Sequence, residues 1–88
     1  MQTEFTNSFV KDLRKLNDKE LLTKVKRVIL EIETADSTAN IKNIKFLVKS
    51  DNYYRIRVGD YRLGLKLDND IITLVRCLHR KDIYKRFP

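Results

Sequence analysis

Apolar positions along this chain keep two rhythms, and the rhythm changes past the middle. In the first half, Phe9, Val10, Leu13 and Leu16 recur at helical spacing. They predict an amphipathic helix over roughly residues 8–16, with Thr6, Asn7 and Ser8 as candidate N-caps. Asn17-Asp18 interrupts it, and Asn17-Asp18-Lys19-Glu20 has the form of a capping box in which Glu20 reaches back to Asn17. Leu21, Leu22, Val25, Val28, Ile29 and Ile32 then mark the stripe of a longer second helix, and the short break predicts an antiparallel helical hairpin. From Tyr53 the period becomes two. Tyr53–Val58, Tyr61–Leu67 and Ile71–His79 read as strands joined by Gly59-Asp60 and Asp68-Asn69-Asp70, connections that suit only antiparallel neighbours. Gln2 to Thr6 reads as a short opening strand and Thr34 to Asn40 as a loop. Ile41 to Lys49 is either extended or a tight turn carrying Ile44, Phe46 and Leu47 inward. Lys81 to Phe87 closes the chain as an irregular or helical turn. The expected fold is α+β: one small domain over residues 1–88, with an N-terminal strand, a helical hairpin and an antiparallel β-meander.

Length limits what such a domain can do. Eighty-eight residues bury a modest core, so a catalytic site belongs on an open face rather than in a deep cavity. Lys and Arg number 19 against 12 Asp and Glu, a formal net charge of +7 that points to a polyanionic partner, a nucleic acid or an acidic protein. Solubility alone is the competing explanation, and the arrangement of the charges decides between them. Cys77 and His79 are the only cysteine and histidine, so neither a disulfide nor a zinc-ligand set is expected. No Walker loop, Ser-His-Asp set or paired carboxylates stand in the sequence, and no cofactor is expected. The opening residues lack a signal-peptide pattern and no apolar run reaches membrane-spanning length, so the expected setting is cytoplasmic, away from membranes.

Strand alternation sorts the basic residues onto one face. Tyr54, Ile56 and Val58 oppose Tyr53, Arg55 and Arg57; Tyr61, Leu63, Leu65 and Leu67 oppose Arg62, Gly64 and Lys66. In the third strand, simple alternation sets Ile71, Thr73, Val75 and Cys77 against Ile72, Leu74, Arg76, Leu78 and Arg80. Five arginines, at 55, 57, 62, 76 and 80, therefore gather outward, with no acid among those outward positions. Like charges on neighbouring strands repel, which makes sense if an anion binds there. The guanidinium fork suits phosphate, and Tyr53 and Tyr84 lie close enough in sequence to stack on bases. Strand filling is the plainer reading of the tyrosines, and for Tyr54 the preferred one. His79 and Cys77 fall on the core parity and read as structural residues.

The stretch YYRIRVGDYRL, from Tyr53 to Leu63, and LHRKDIY, from Leu78 to Tyr84, resemble the RelE/ParE superfamily of toxins from type II toxin–antitoxin systems. The match looks nearest to archaeal-like members of the RelE branch. The resemblance implies a toxin held in check by a RelB-like antitoxin whose acidic segment wraps it. It also implies entry into the ribosomal A site and metal-independent mRNA cleavage there, by 2′-hydroxyl attack on the adjacent phosphate, so that translation stops. The family's basic pair falls on Arg55 and Arg57, its post-turn arginine on Arg62, its late arginine on Arg80 and its C-terminal tyrosine on Tyr84. Arg62, Arg80 and Tyr84 are thus the implied catalytic residues. The resemblance makes Arg55 and Arg57 the RNA-binding pair; Arg76, which is outside the family set, and Tyr53 and Lys66 are further expected RNA contacts from their places on or beside the outward basic face. Some members carry Lys at the pair, whereas this chain carries Arg, which does not give up its proton and so makes no general base. The superfamily also contains gyrase inhibitors that cleave nothing, so a ParE-like inhibitor or a catalytically decayed nucleic-acid binder stands as the alternative.

Overall fold

The computed structural model describes residues 1–47 and 51–88. Their order is β1 (Gln2–Phe5), α1 (Asn7–Arg14), α2 (Lys19–Thr34), β2 (Ile44–Phe46), β3 (Tyr53–Val58), β4 (Tyr61–Asp68), β5 (Ile71–His79) and α3 (Arg80–Arg86), with a short 3-10 turn at Thr38–Asn40. The strands form one sheet in the order β1-β5-β4-β3-β2. β2 to β5 are the antiparallel meander with one strand added, and β1 runs parallel to β5 at the opposite edge. The ambiguous segment from Ile41 is extended over Ile44–Phe46; its residues 48 and 49 lie outside the described residues. No helix among the described residues is long and apolar enough to cross a membrane.

Local chemistry accounts for the boundaries. The Thr6 hydroxyl accepts from the Phe9 amide and starts α1. α2 starts one residue later than the capping-box reading placed it: Asp18, not Asn17, accepts from the Leu21 amide, at 3.1 Å. The β4–β5 turn takes positive φ at both central residues, Asn69 at 48° and Asp70 at 66°, the hairpin geometry whose twist matches the flanking strands. Gly59, at φ 59°, supplies the same freedom in the β3–β4 turn.

The main core lies between the helices and one face of the sheet. Phe9, Leu21, Val25 and Ile32 pack there against Ile56, Leu63, Leu65, Ile72, Leu74 and Cys77. This corrects the alternation read for the third strand. Register shifts between Gly64 and Leu65: Gly64 faces Arg76 while Leu65 faces Leu74, so Val75 is an extra residue on β5. Before the bulge Ile72 and Leu74 point into the core; after it Cys77 does. The bulge exposes backbone groups, and α1 supplies their partners. The Thr6 hydroxyl donates to the Val75 carbonyl at 2.8 Å, and the Cys77 amide donates to the Asp12 carboxylate at 2.9 Å.

Asp12 also fixes Arg76, which was expected on the open face. Arg76 donates from Nε at 2.8 Å and Nη2 at 3.1 Å, a forked pair with a carboxylate only 6% exposed. That hydrogen bond raises the Arg76 pKa above its usual value, against the opposing effect of burial. The same carboxylate, after burial itself, helps push the Cys77 thiol up to about 12.

The expected open face is half covered. Ile83 and Phe87 bring the C-terminal segment down over Leu78, Val75, Tyr53 and Leu47 as a second small core. Gly64 makes this docking possible: a Cβ there would stand 2.7 Å from the Phe87 ring. Phe87 also meets Tyr53 edge-on, with centroids 5.3 Å apart.

Candidate functional site

What α3 leaves uncovered is a basic pocket. β3 and β4 pair with Arg57 directly opposite Arg62, and with Arg55 opposite Gly64. On the other side of β3, Lys45 of β2 stands opposite Arg55. Directly opposed residues of antiparallel strands share a face, so this register sets like charges side by side at a cost in stability. Together with Asn43, Ile44 and Tyr84, these cations line an open pocket of about 310 Å³. No carboxylate among the described residues lines it. Arg76–Asp12, on the far side of β4, is the only ion pair among the described residues.

Tyr84 comes from α3. It is 64% exposed, and the Arg55 guanidinium lies 4.6 Å from its ring centroid. Arg62 turns back on the β3–β4 hairpin, donating from Nη1 to the Gly59 and Tyr61 carbonyls at 2.9 Å each. Those bonds hold its orientation and leave the rest of its fork without a partner among the described residues. Such a fixed donor set, on a rigid hairpin, can meet a phosphate without first reorganising.

The sequence-predicted residues divide into three groups. Arg55, Arg57, Arg62 and Tyr84 come together in the pocket. Arg80 is exposed as the first residue of α3, not the last of the strand, and does not line the pocket. Its amide donates to the Asp60 carbonyl at 2.8 Å, which ties the start of α3 to the turn that carries Arg62. Tyr53, Lys66 and Arg76 lie elsewhere. Tyr53 packs in the second core, Lys66 has its Nζ 5.5 Å from the Tyr53 ring centroid, and Arg76 is held by Asp12. His79 caps α3, its Nδ1 accepting from the Lys81 amide, and meets Tyr61 edge-on. Lys45 was missed, although Ile44-Lys45-Phe46 carries a legible apolar–basic–apolar alternation.

Comparison with known proteins shows the family. Residues 3–84 match the family model described as ParE toxin of type II toxin–antitoxin system, parDE. The chain belongs to this toxin family. Over 89 aligned residues it is 40% identical to Toxin RelE3 of Methanocaldococcus jannaschii, covering both chains completely. The toxin also superposes on a chain of the RelB–RelE antitoxin–toxin complex from Methanococcus jannaschii with a TM-score of 0.82, at 41% identity, covering 97% of this chain and 99% of that one. The archaeal RelE–RelB complex from Pyrococcus horikoshii shares the fold at a TM-score of 0.73 and 19% identity, covering 90% and 93%. The protein is thus an archaeal-like RelE-branch member of the RelE/ParE superfamily, the toxin component of a type II system.

Proposed function

We propose that this toxin is a metal-independent endoribonuclease that cuts messenger RNA in the ribosomal A site and so stops translation. The observation that carries the reading is the pocket itself: three arginines from two paired strands, a tyrosine ring under one of them, and no acid along the wall. The reaction that fits is attack of an RNA 2′-hydroxyl on the adjacent phosphate, giving a 2′,3′-cyclic phosphate and a 5′-hydroxyl. Charge builds on the phosphoryl oxygens as that bond forms. Arg62, steadied by its two carbonyl bonds, supplies fixed positive charge to it, and Arg80, exposed at the start of α3 outside the pocket lining, adds its charge from the α3 side. Arg55 and Arg57 hold the flanking phosphates, and Tyr84 offers a ring face to a base. No guanidinium surrenders a proton, so stabilisation and positioning by the ribosome supply most of the rate.

The partner that silences such a face is a RelB-like antitoxin with an acidic segment. The superposed relatives from M. jannaschii and P. horikoshii are toxin–antitoxin complexes. A +7 chain whose pocket cations lack acidic partners offers that segment complementary charge.

A second reading has one observation in its favour, because the matching family model is that of ParE toxins. A gyrase inhibitor, however, has no use for phosphate-directed arginines around an open pocket. Expression without antitoxin separates the two. The endonuclease reading predicts that translation fails first, with supercoiling intact. Disturbed supercoiling ahead of any fall in translation would establish gyrase as the target.

A further inference from the structure

The proposed reaction leaves one cation of the pocket without a task. Lys45 stands in the middle of β2, opposite Arg55, and lines the pocket with Arg55, Arg57, Arg62 and Tyr84. It is exposed, and no hydrogen bond or ion pair within the described residues occupies its amine. The groups that face it are Arg55 and Arg57 from β3, Arg62 from β4 and Tyr84 from α3; β2 is the sheet's edge, so no strand flanks it on the other side.

The chemistry has a matching gap. When the 2′-oxygen–phosphorus bond forms and the phosphorus–5′-oxygen bond breaks, the departing oxygen leaves as a strongly basic alkoxide unless it receives a proton. The arginines offset charge but keep their protons. A lysine ammonium offers three N–H donors on a flexible stem and can release one proton. Resting on the RNA-cleaving reading above, we infer that Lys45 is the general acid of this site. Its Nζ gives a proton to the 5′-oxygen as that bond breaks, the product leaves with a 5′-hydroxyl, and the neutral amine regains a proton from water. The 2′-hydroxyl proton passes to solvent. In this arrangement the cation that completes the reaction comes from the edge strand, beside the arginine pair.

The test replaces the leaving atom. Ribosome-bound message is prepared with the ordinary cleavage site, and with sulfur in place of the bridging 5′-oxygen at that site. A thiolate departs without needing a proton. Wild type, Lys45→Arg and Lys45→Ala are compared on both, with circular dichroism to show that each is folded. Lys45→Arg keeps the charge and loses the transferable proton. It should cut the oxygen message about 100- to 10,000-fold more slowly, the usual span for a general acid, and cut the sulfur message at close to the wild-type rate. Equal losses on both messages would make Lys45 a binding charge and overturn the assignment. Undiminished cutting of the oxygen message by Lys45→Arg would overturn it as well. If wild type cuts neither message, the endonuclease reading fails first and takes this inference with it.

Discussion

Asp12→Ala is the perturbation whose cost the structure fixes best. The Asp12 carboxylate is 6% exposed and accepts three hydrogen bonds: two from the Arg76 guanidinium and one from the Cys77 amide at the β5 bulge. Removing it leaves a charged group and a backbone donor unpaired at once. Breaking a buried pair by deleting one partner costs about 3–5 kcal/mol. Arg76, at 24% exposed, keeps part of its hydration, so the lower end, about 3 kcal/mol, applies. Total stability of a domain this size is roughly 4–13 kcal/mol at 0.05–0.15 kcal/mol per residue. The substitution therefore removes a large fraction and lowers Tm by roughly 12–24 °C. Asp12→Asn keeps an acceptor for the Cys77 amide but loses the charge, and should fall between Ala and wild type. Urea unfolding followed by circular dichroism measures both, with the slope unchanged. A loss below about 1 kcal/mol for Asp12→Ala would refute the claim that this carboxylate pins α1 to the bulge. Arg76→Ala, assayed where it is folded, should still cut RNA, because the Arg76 guanidinium is engaged by Asp12 and does not line the pocket.

The other expectations concern α3 and Cys77. Gly64→Ala forces its new methyl against the Phe87 ring, so α3 should lift and Tyr84 leave Arg55. Overpacking of this kind costs about 1–3 kcal/mol; cleavage should fall while the main core still unfolds cooperatively, and normal amide-exchange protection in α3 would contradict it. Cys77, with its thiol raised to about 12 by burial and then by Asp12, should resist thiol reagents at pH 8 until the chain is denatured. Its pH effect has a definite sign. Below about 8.5 the thiol is protonated in both states and contributes nothing; above that the unfolded thiol ionises while the folded one does not. Stability should therefore decline between roughly pH 9 and 12, and Cys77→Ser should decline less steeply over the same range.

The helical stripes, the hairpins and the pocket arginines were legible in the sequence because each rests on local periodicity. Arg55 and Arg57 keep strict alternation, and the Gly59-Asp60 turn fixes their register against Arg62. Arg76 was misplaced because Ile71 to His79 is apolar on both parities, and only pairing with Gly64 and Leu65 reveals the extra residue. A strand buried on both faces carries no period from which a bulge can be read. Arg80 was taken as strand because the His79 cap and the Asp60 contact that start α3 are tertiary features. Lys45 was passed over because its apolar–basic–apolar alternation runs for only the three residues of an edge strand, and the segment reads as either strand or turn.

The central claim, that this toxin cuts RNA with Arg62 of the pocket and Arg80 of α3, meets its most direct test in reconstituted translation. Purified wild type and an Arg62→Ala, Arg80→Ala variant are added to ribosomes on a defined message, and primer extension reads the cuts. Wild type should produce discrete, ribosome-dependent cuts ending in a 2′,3′-cyclic phosphate. The variant, folded by circular dichroism because both residues lie outside the two cores, should cut at least about 100-fold more slowly, the loss expected from one preorganised donor. Full cleavage by the folded double variant, or translation arrest by wild type with the message intact, would contradict the account.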